Sequence, residues 1–193
     1  MRNFIFIGDS LTFGYGINKN KSWIGKLNNS AFIKNENLKI LNKGINGNTT
    51  TDMLNRFSED VSILNPSYVF IMGGTNDLLS NREISLIINN IELMIKETLT
   101  ITKDIYLGIP PFIIKEDAYN LFMPSLTYDY CEKTLPILRD ELIKLTKIYN
   151  ITYIDFYTLT NNKKDIFIDG IHFNEAGHHL LYNLFLNEIT GRT

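Results

Sequence analysis

Five short apolar runs, each separated from the next by an amphipathic stretch, limit the folds open to this chain more than any other feature. They cover residues 3–7, 38–41, 68–72, 104–109 and 151–154. Most are continuous apolar or β-branched runs rather than alternating ones, the pattern of strands buried on both faces of a parallel sheet. Residues 23–32 read as a short helix. A second helix spans about 52–64, after Thr49, Thr50 and Thr51, any of which can cap it. Ile84, Ile87, Ile88, Ile91 and Met94 share one helical stripe, as do Leu135, Leu138, Leu142, Leu145 and Ile148. Pro136 either opens that second stripe, where a first turn tolerates it, or kinks a longer helix beginning near Tyr128. A last helix follows Asn174 and runs to about Glu188. Residues 110–126 form the longest irregular stretch, rich in aromatic and apolar side chains. Such alternation predicts an α/β fold with a central five-stranded parallel sheet and helices on both faces. Ligands of such sheets bind beyond the carboxyl ends of the strands.

A chain of 193 residues is long enough for one domain with a sizeable core, and residues 1–193 show no repeat, linker or low-complexity tract. The formal net charge of −2 gives no nucleic-acid footprint. Cys131 is the sole cysteine, so stability must come from packing, in keeping with a reducing compartment. The apolar start is too short for a signal peptide, and no window approaches the roughly 18 apolar residues of a membrane span. A cytoplasmic protein is expected.

Four polar clusters follow the runs. Gly8-Asp9-Ser10-Leu11 follows the first, Gly44-Ile45-Asn46-Gly47-Asn48-Thr49 the second, and Gly73-Gly74-Thr75-Asn76-Asp77 the third. Asp169-Gly170-Ile171-His172 comes after the fifth. A lone serine at Ser10 would read as a turn or cap residue. Loops at one sheet edge converge, however, and these bring together a hydroxyl, an imidazole, a carboxylate and hydrogen-bond donors. Acyl transfer needs that set. A serine is a poor nucleophile until a base takes its proton. His172 is a suitable base, which predicts activity rising with pH as it becomes neutral. Asp169, three residues earlier, can orient the ring. The backbone amides of Ser10 and Gly47 and the side-chain amide of Asn76 are candidate oxyanion donors.

These clusters, in order and at similar spacing, resemble the four sequence blocks of the SGNH hydrolases, also called the GDSL esterase/lipase family. The resemblance matches Ser10 to the nucleophile, Gly47 and Asn76 to the oxyanion glycine and asparagine, and Asp169 and His172 to the acid and base. It implies a three-layer flavodoxin-like fold, a fairly open site, and hydrolysis of esters or thioesters with no metal and no cofactor. Short-acyl esters, acetylated sugars and lysophospholipids all suit such a site. The Gly-x-Ser-x-Gly elbow of the larger α/β-hydrolases is absent.

Other residues take secondary places. Asp9 reads as a turn organiser, and Asp77 has the same standing. Asp155 and Asp165 lack the short register to His172. His178 and His179 do not form a usual ligand spacing with His172, so no metal is expected. Cys131 reads as a small apolar side chain. Phe112, Phe122 and Met123, after the fourth run, are expected to wall the acyl or alcohol pocket, and Tyr15 to line its rim. The expected partner is a small-molecule ester or thioester, with no nucleic acid, and the oligomeric state is left open. Two alternatives stay open. An acyltransferase would use the same site with an alcohol in place of water. A non-catalytic, flavodoxin-like binding module is the other, although the first loop lacks the glycine spacing and lysine of a phosphate cradle.

Overall fold

Alternation along each strand decides which helices cover which face of the sheet. In the computed structural model, which describes residues 2–121 and 125–191, the strands are β1 (Arg2–Gly8), β2 (Leu38–Gly44), β3 (Tyr68–Met72), β4 (Ile105–Ile109) and β5 (Thr152–Asp155). All pair in parallel, in the order β2-β1-β3-β4-β5. This is the order of a flavodoxin-like sheet. Ile5, Ile7, Val69, Ile71, Leu107 and Ile109 point to one face. There they meet Met53, Phe57, Ile91, Met94, Leu138 and Leu142 from the helices Thr50–Asn55, Phe57–Asp60, Ile84–Leu99 and Leu126–Tyr149. Phe4, Phe6, Phe70, Met72 and Ile154 point to the other face, against the helices Trp23–Asn28, Ala31–Asn35 and Glu175–Thr190. The result is three layers, with one aliphatic interface and one aromatic.

Trp23 centres the aromatic interface. Its ring meets Phe6, Phe70, Phe156 and Phe185 edge-on at 5.4–5.6 Å between centroids. Its indole N–H donates to the Leu11 carbonyl at 2.9 Å, so the polar end of a fully buried ring is satisfied. That bond ties the core to the turn that carries Ser10.

Several elements differ from the sequence reading. The helix expected over 23–32 is two, because Ser30 caps a fresh start through Ile33 N–H. The stretch expected as one helix over 52–64 breaks into Thr50–Asn55, Phe57–Asp60 and a 3-10 turn at Ser62–Leu64. Thr49 is its cap, in a reciprocal capping box with Asp52. Pro136 lies well inside the helix Leu126–Tyr149, as in the longer of the two alternatives. Within 110–126, Lys115–Leu121 is helical. It is too short to show a stripe, and its acidic first turn, Glu116 and Asp117, suits a helix start. No helix among the described residues is long and apolar enough to cross a membrane.

Candidate active site

The strand order reverses between β1 and β3, and a crevice opens there at the carboxyl ends. Gly8, the last residue of β1, pairs with both Gly44 and Met72. Asp9 then caps a short helix, Ser10–Phe13, by accepting the Leu11 N–H at 2.9 Å. Ser10 is the first residue of that helix, where a backbone N–H has no intrahelical acceptor.

His172 reaches Ser10 from the loop before the last helix. Its Nε2 is 2.9 Å from Ser10 Oγ and its Nδ1 is 2.6 Å from Asp169 Oδ2. The other Asp169 oxygen accepts the backbone N–H groups of Ile171 and His172, at 2.9 and 2.6 Å. Burial pushes the Asp169 carboxyl up, but the His172 side chain and these two amides outweigh it and hold its pKa below the ordinary value. Asp169 is thus an anion fixed at the Nδ1 edge of the imidazole. Ile114 N–H donates to the Gly170 carbonyl at 2.7 Å and anchors this loop from the segment after β4.

The loops after β2 and β3 lean on each other beside Ser10. Asn76, in the helix Thr75–Leu79, donates from Nδ2 to the Asn48 carbonyl at 2.9 Å. Gly47 has φ +77°, and a Cβ built there would meet nothing within 4 Å. Backbone conformation, rather than crowding, is what favours glycine at this position. The open space leaves its surroundings accessible to a ligand.

Two residues that the sequence reading passed over hold these loops. Arg56 donates from Nη2 to the Gly8 carbonyl (3.0 Å) and from Nε to Asn48 Oδ1 (2.8 Å), and its Nη1 pairs with Asp60. It therefore joins the end of β1 to the Gly47 loop. Asn90 donates to the hydroxyls of Thr50 and Thr51. Asp77 organises more than its own turn, since it accepts the Thr50 N–H and hydroxyl across the crevice, each at 2.8 Å. Nothing local in the sequence marks the Arg56–Gly8, Asn90–Thr50 and Asp77–Thr50 contacts, which span 48, 40 and 27 residues.

The remaining candidates scatter. The Tyr15 ring lies against His172, 4.4 Å between centroids. Phe112 packs edge-on against Tyr157 and its N–H donates to Thr160 Oγ1, over the helix that follows β5. Phe122 and Met123 lie outside the described residues. Asp155 is paired with Arg139 and caps its own helix. Buried Cys131 has its thiol pushed up to about 12 by burial. His178 and His179 point apart. His178 is buried and accepts the Trp23 N–H, with burial lowering its pKa to about 4, while His179 is exposed beside Asn183. A cavity of about 360 Å³ lined by Phe4, Leu38, Tyr68 and Tyr106 sits at the opposite, amino edge of the sheet.

Asp9 carries a stability cost. Burial pushes its carboxyl up to about 6, against the Leu11 N–H, with the Asp77 charge adding to the rise. Below about pH 4 the group is protonated in both folded and unfolded chains and costs nothing. Between about 4 and 6 the unfolded chain releases the proton that the folded chain keeps, so stability falls as pH rises. Above that the full cost, about 3 kcal/mol, is present. Asn caps as well as Asp. The stability gain of Asp9→Asn over wild type should therefore grow from near zero at about pH 4 to about 2–3 kcal/mol at neutral pH. Urea denaturation at the two pH values measures it, and a gain independent of pH would contradict it.

Known proteins are similar to this chain over most of its length. The family model described as GDSL-like lipase/acylhydrolase matches residues 6–180. An acetylxylan esterase of Geobacillus stearothermophilus is 26% identical over 167 residues, covering 79% of this chain and 72% of that protein. The lipase/acylhydrolase from Enterococcus faecalis superposes with a TM-score of 0.81 at 26% identity, covering 100% of this chain and 97% of that one. A member of the lipolytic G-D-S-L family from Veillonella parvula DSM 2008 also gives 0.81, at 24% identity, over 98% of this chain and 99% of its own. That last likeness is one of fold.

Proposed function

Since this chain belongs to the GDSL-like lipase/acylhydrolase family and is a carboxylic ester hydrolase, we propose that it cleaves short-acyl esters through an acyl-enzyme on Ser10. The observation that carries this reading is the unbroken line from Ser10 Oγ to His172 to Asp169, at 2.9 and 2.6 Å. Ser10 Oγ bonds to the ester carbonyl carbon as its proton passes to His172 Nε2. Asp169 stabilises the imidazolium and keeps the Nδ1 hydrogen directed at itself. The carbonyl oxygen becomes an anion, held by the Ser10 and Gly47 amides and by Asn76. An amide nitrogen carries two hydrogens, so Asn76 can serve the oxyanion while it keeps its bond to Asn48. As the tetrahedral species collapses, the bond to the alcohol oxygen breaks and His172 protonates that oxygen. Water then repeats the sequence on the acyl-enzyme and frees Ser10.

Acetyl esters of sugars are the first substrates to test, supported by the similarity to an acetylxylan esterase and by the open surroundings of Gly47. A serine-directed fluorophosphonate tests the nucleophile. Activity on p-nitrophenyl acetate should decay in one exponential, and peptide mass mapping should find a single adduct, on Ser10. Loss of activity that tracks an adduct elsewhere would overturn the reading. So would a folded protein inert to p-nitrophenyl esters from acetate to palmitate and to acetylated xylo-oligosaccharides.

A further inference from the structure

Four large apolar side chains stand exposed around Ser10: Phe13, Tyr15, Ile45 and Ile168, each between 44 and 49% exposed. Single exposed apolar residues are ordinary. These four are different because each is tied by its backbone N–H either to Ser10 or His172 or to the two residues that precede Ser10. Phe13 donates to Asp9 O (2.8 Å), Tyr15 to Ser10 O (3.1 Å), Ile45 to Gly8 O (3.1 Å) and Ile168 to His172 O (2.9 Å). They are therefore held at fixed places beside the nucleophile and base.

Two of them belong to the His172 side. The Tyr15 ring rests on the imidazole. Ile168 abuts the same loop, since a Cβ at Gly16 would sit 2.4 Å from Ile168 Cδ1. The leaving oxygen must lie within reach of His172 Nε2 to receive its proton, so the departing alcohol passes on this side. Segments 9–18, 44–50 and 166–173 contain no Lys, Arg or Glu, and their two carboxyls, Asp9 and Asp169, are buried. These segments offer apolar surface and carry no exposed charge of their own, and the exposed carboxylate that packing brings to them, Asp117, lies against Gly170.

We propose that Tyr15 and Ile168 form the leaving-group subsite and select esters of uncharged alcohols that present an apolar face. The proposal rests on Ser10 and His172 acting as above. Its test compares three acetates that differ only in the alcohol: cyclohexyl acetate, acetylcholine and O-acetylglycolate. With each kcat/KM divided by the hydroxide-catalysed rate of that ester, wild type should favour cyclohexyl acetate over both charged esters. Tyr15→Ala and Ile168→Ser should each lower kcat/KM for cyclohexyl acetate by about tenfold or more and change the charged esters much less. Tyr15→Phe, which keeps the apolar face, should restore the preference that Tyr15→Ala loses. An equal loss on all three esters would overturn the proposal and make Tyr15 a residue that positions His172. No loss, or a wild-type preference for a charged ester, would overturn it as well. Ser10→Ala run beside them separates the two levels: hydrolysis within a factor of ten of wild type in that variant defeats the underlying reading, whatever the alcohol profile.

Discussion

Replacing Ser10 with alanine should lower kcat for ester hydrolysis by about a millionfold, the scale set by losing the nucleophile of a serine triad. The fold should survive. The cap of the Ser10–Phe13 helix is the Asp9 side chain, which the change leaves alone, and alanine is the best helix former. What disappears is the 2.9 Å contact with His172 Nε2, a single hydrogen bond worth about 1 kcal/mol net. Thermal denaturation should therefore move by a few degrees at most while turnover of p-nitrophenyl acetate falls to the residual level that the proposed oxyanion donors would sustain with water as nucleophile. Hydrolysis within a factor of ten of wild type would mean that another residue attacks the carbonyl.

The next largest effect belongs to Asp169→Asn, about ten-thousandfold in kcat. The geometry explains why the loss would be chemical rather than structural. Asp169 Oδ1 receives the Ile171 and His172 amides, and an asparagine oxygen can receive both in the same way. The second oxygen becomes an NH₂ group facing His172 Nδ1. A donor there forces Nδ1 to accept, which moves the ring hydrogen to Nε2 and points it at Ser10. The imidazole can then no longer take the serine proton. Asp169→Ala should add a stability loss to the catalytic one, because the buried Ile171 amide loses its acceptor at about 1–3 kcal/mol and the partly buried His172 amide loses its own. Rates and melting curves of the two variants, measured together, separate the roles. A loss under tenfold in Asp169→Asn, with the fold intact, would mean that His172 is held by a different partner.

Much of this architecture was legible in the order of residues. Continuous apolar runs such as Phe4–Ile7 and Tyr68–Met72 belong to strands buried on both faces, and the runs between them to covering helices. The breaks inside predicted helices were harder to see. Ser30 restarts a helix by accepting the Ile33 N–H, and Arg56 and Val61 leave helical geometry at φ −106° and −126°, choices that depend on what packs above them. Among the candidate site residues, Ser10, Asp169 and His172 come within hydrogen-bonding distance of one another, and Asn76 meets the Gly47 loop through Asn48. Phe112 faces Tyr157, a neighbour that nothing near residue 112 announces.

By itself the sequence determined the strand-forming segments, the side-chain alternation that divides an aliphatic face from an aromatic one, and the chain order of the polar clusters. These are local properties, set by the period of two along a strand and by the chemistry of each side chain. Only the tertiary structure decided the strand order, which opens the crevice between β1 and β3, and the partners that residues far apart choose there. Arg56 on the Gly8 carbonyl, Asp77 on Thr50 and Tyr15 on His172 are such choices. A guanidinium, a carboxylate or a ring can satisfy itself against many groups, and which one it meets is settled by the packing of the whole sheet and its helices.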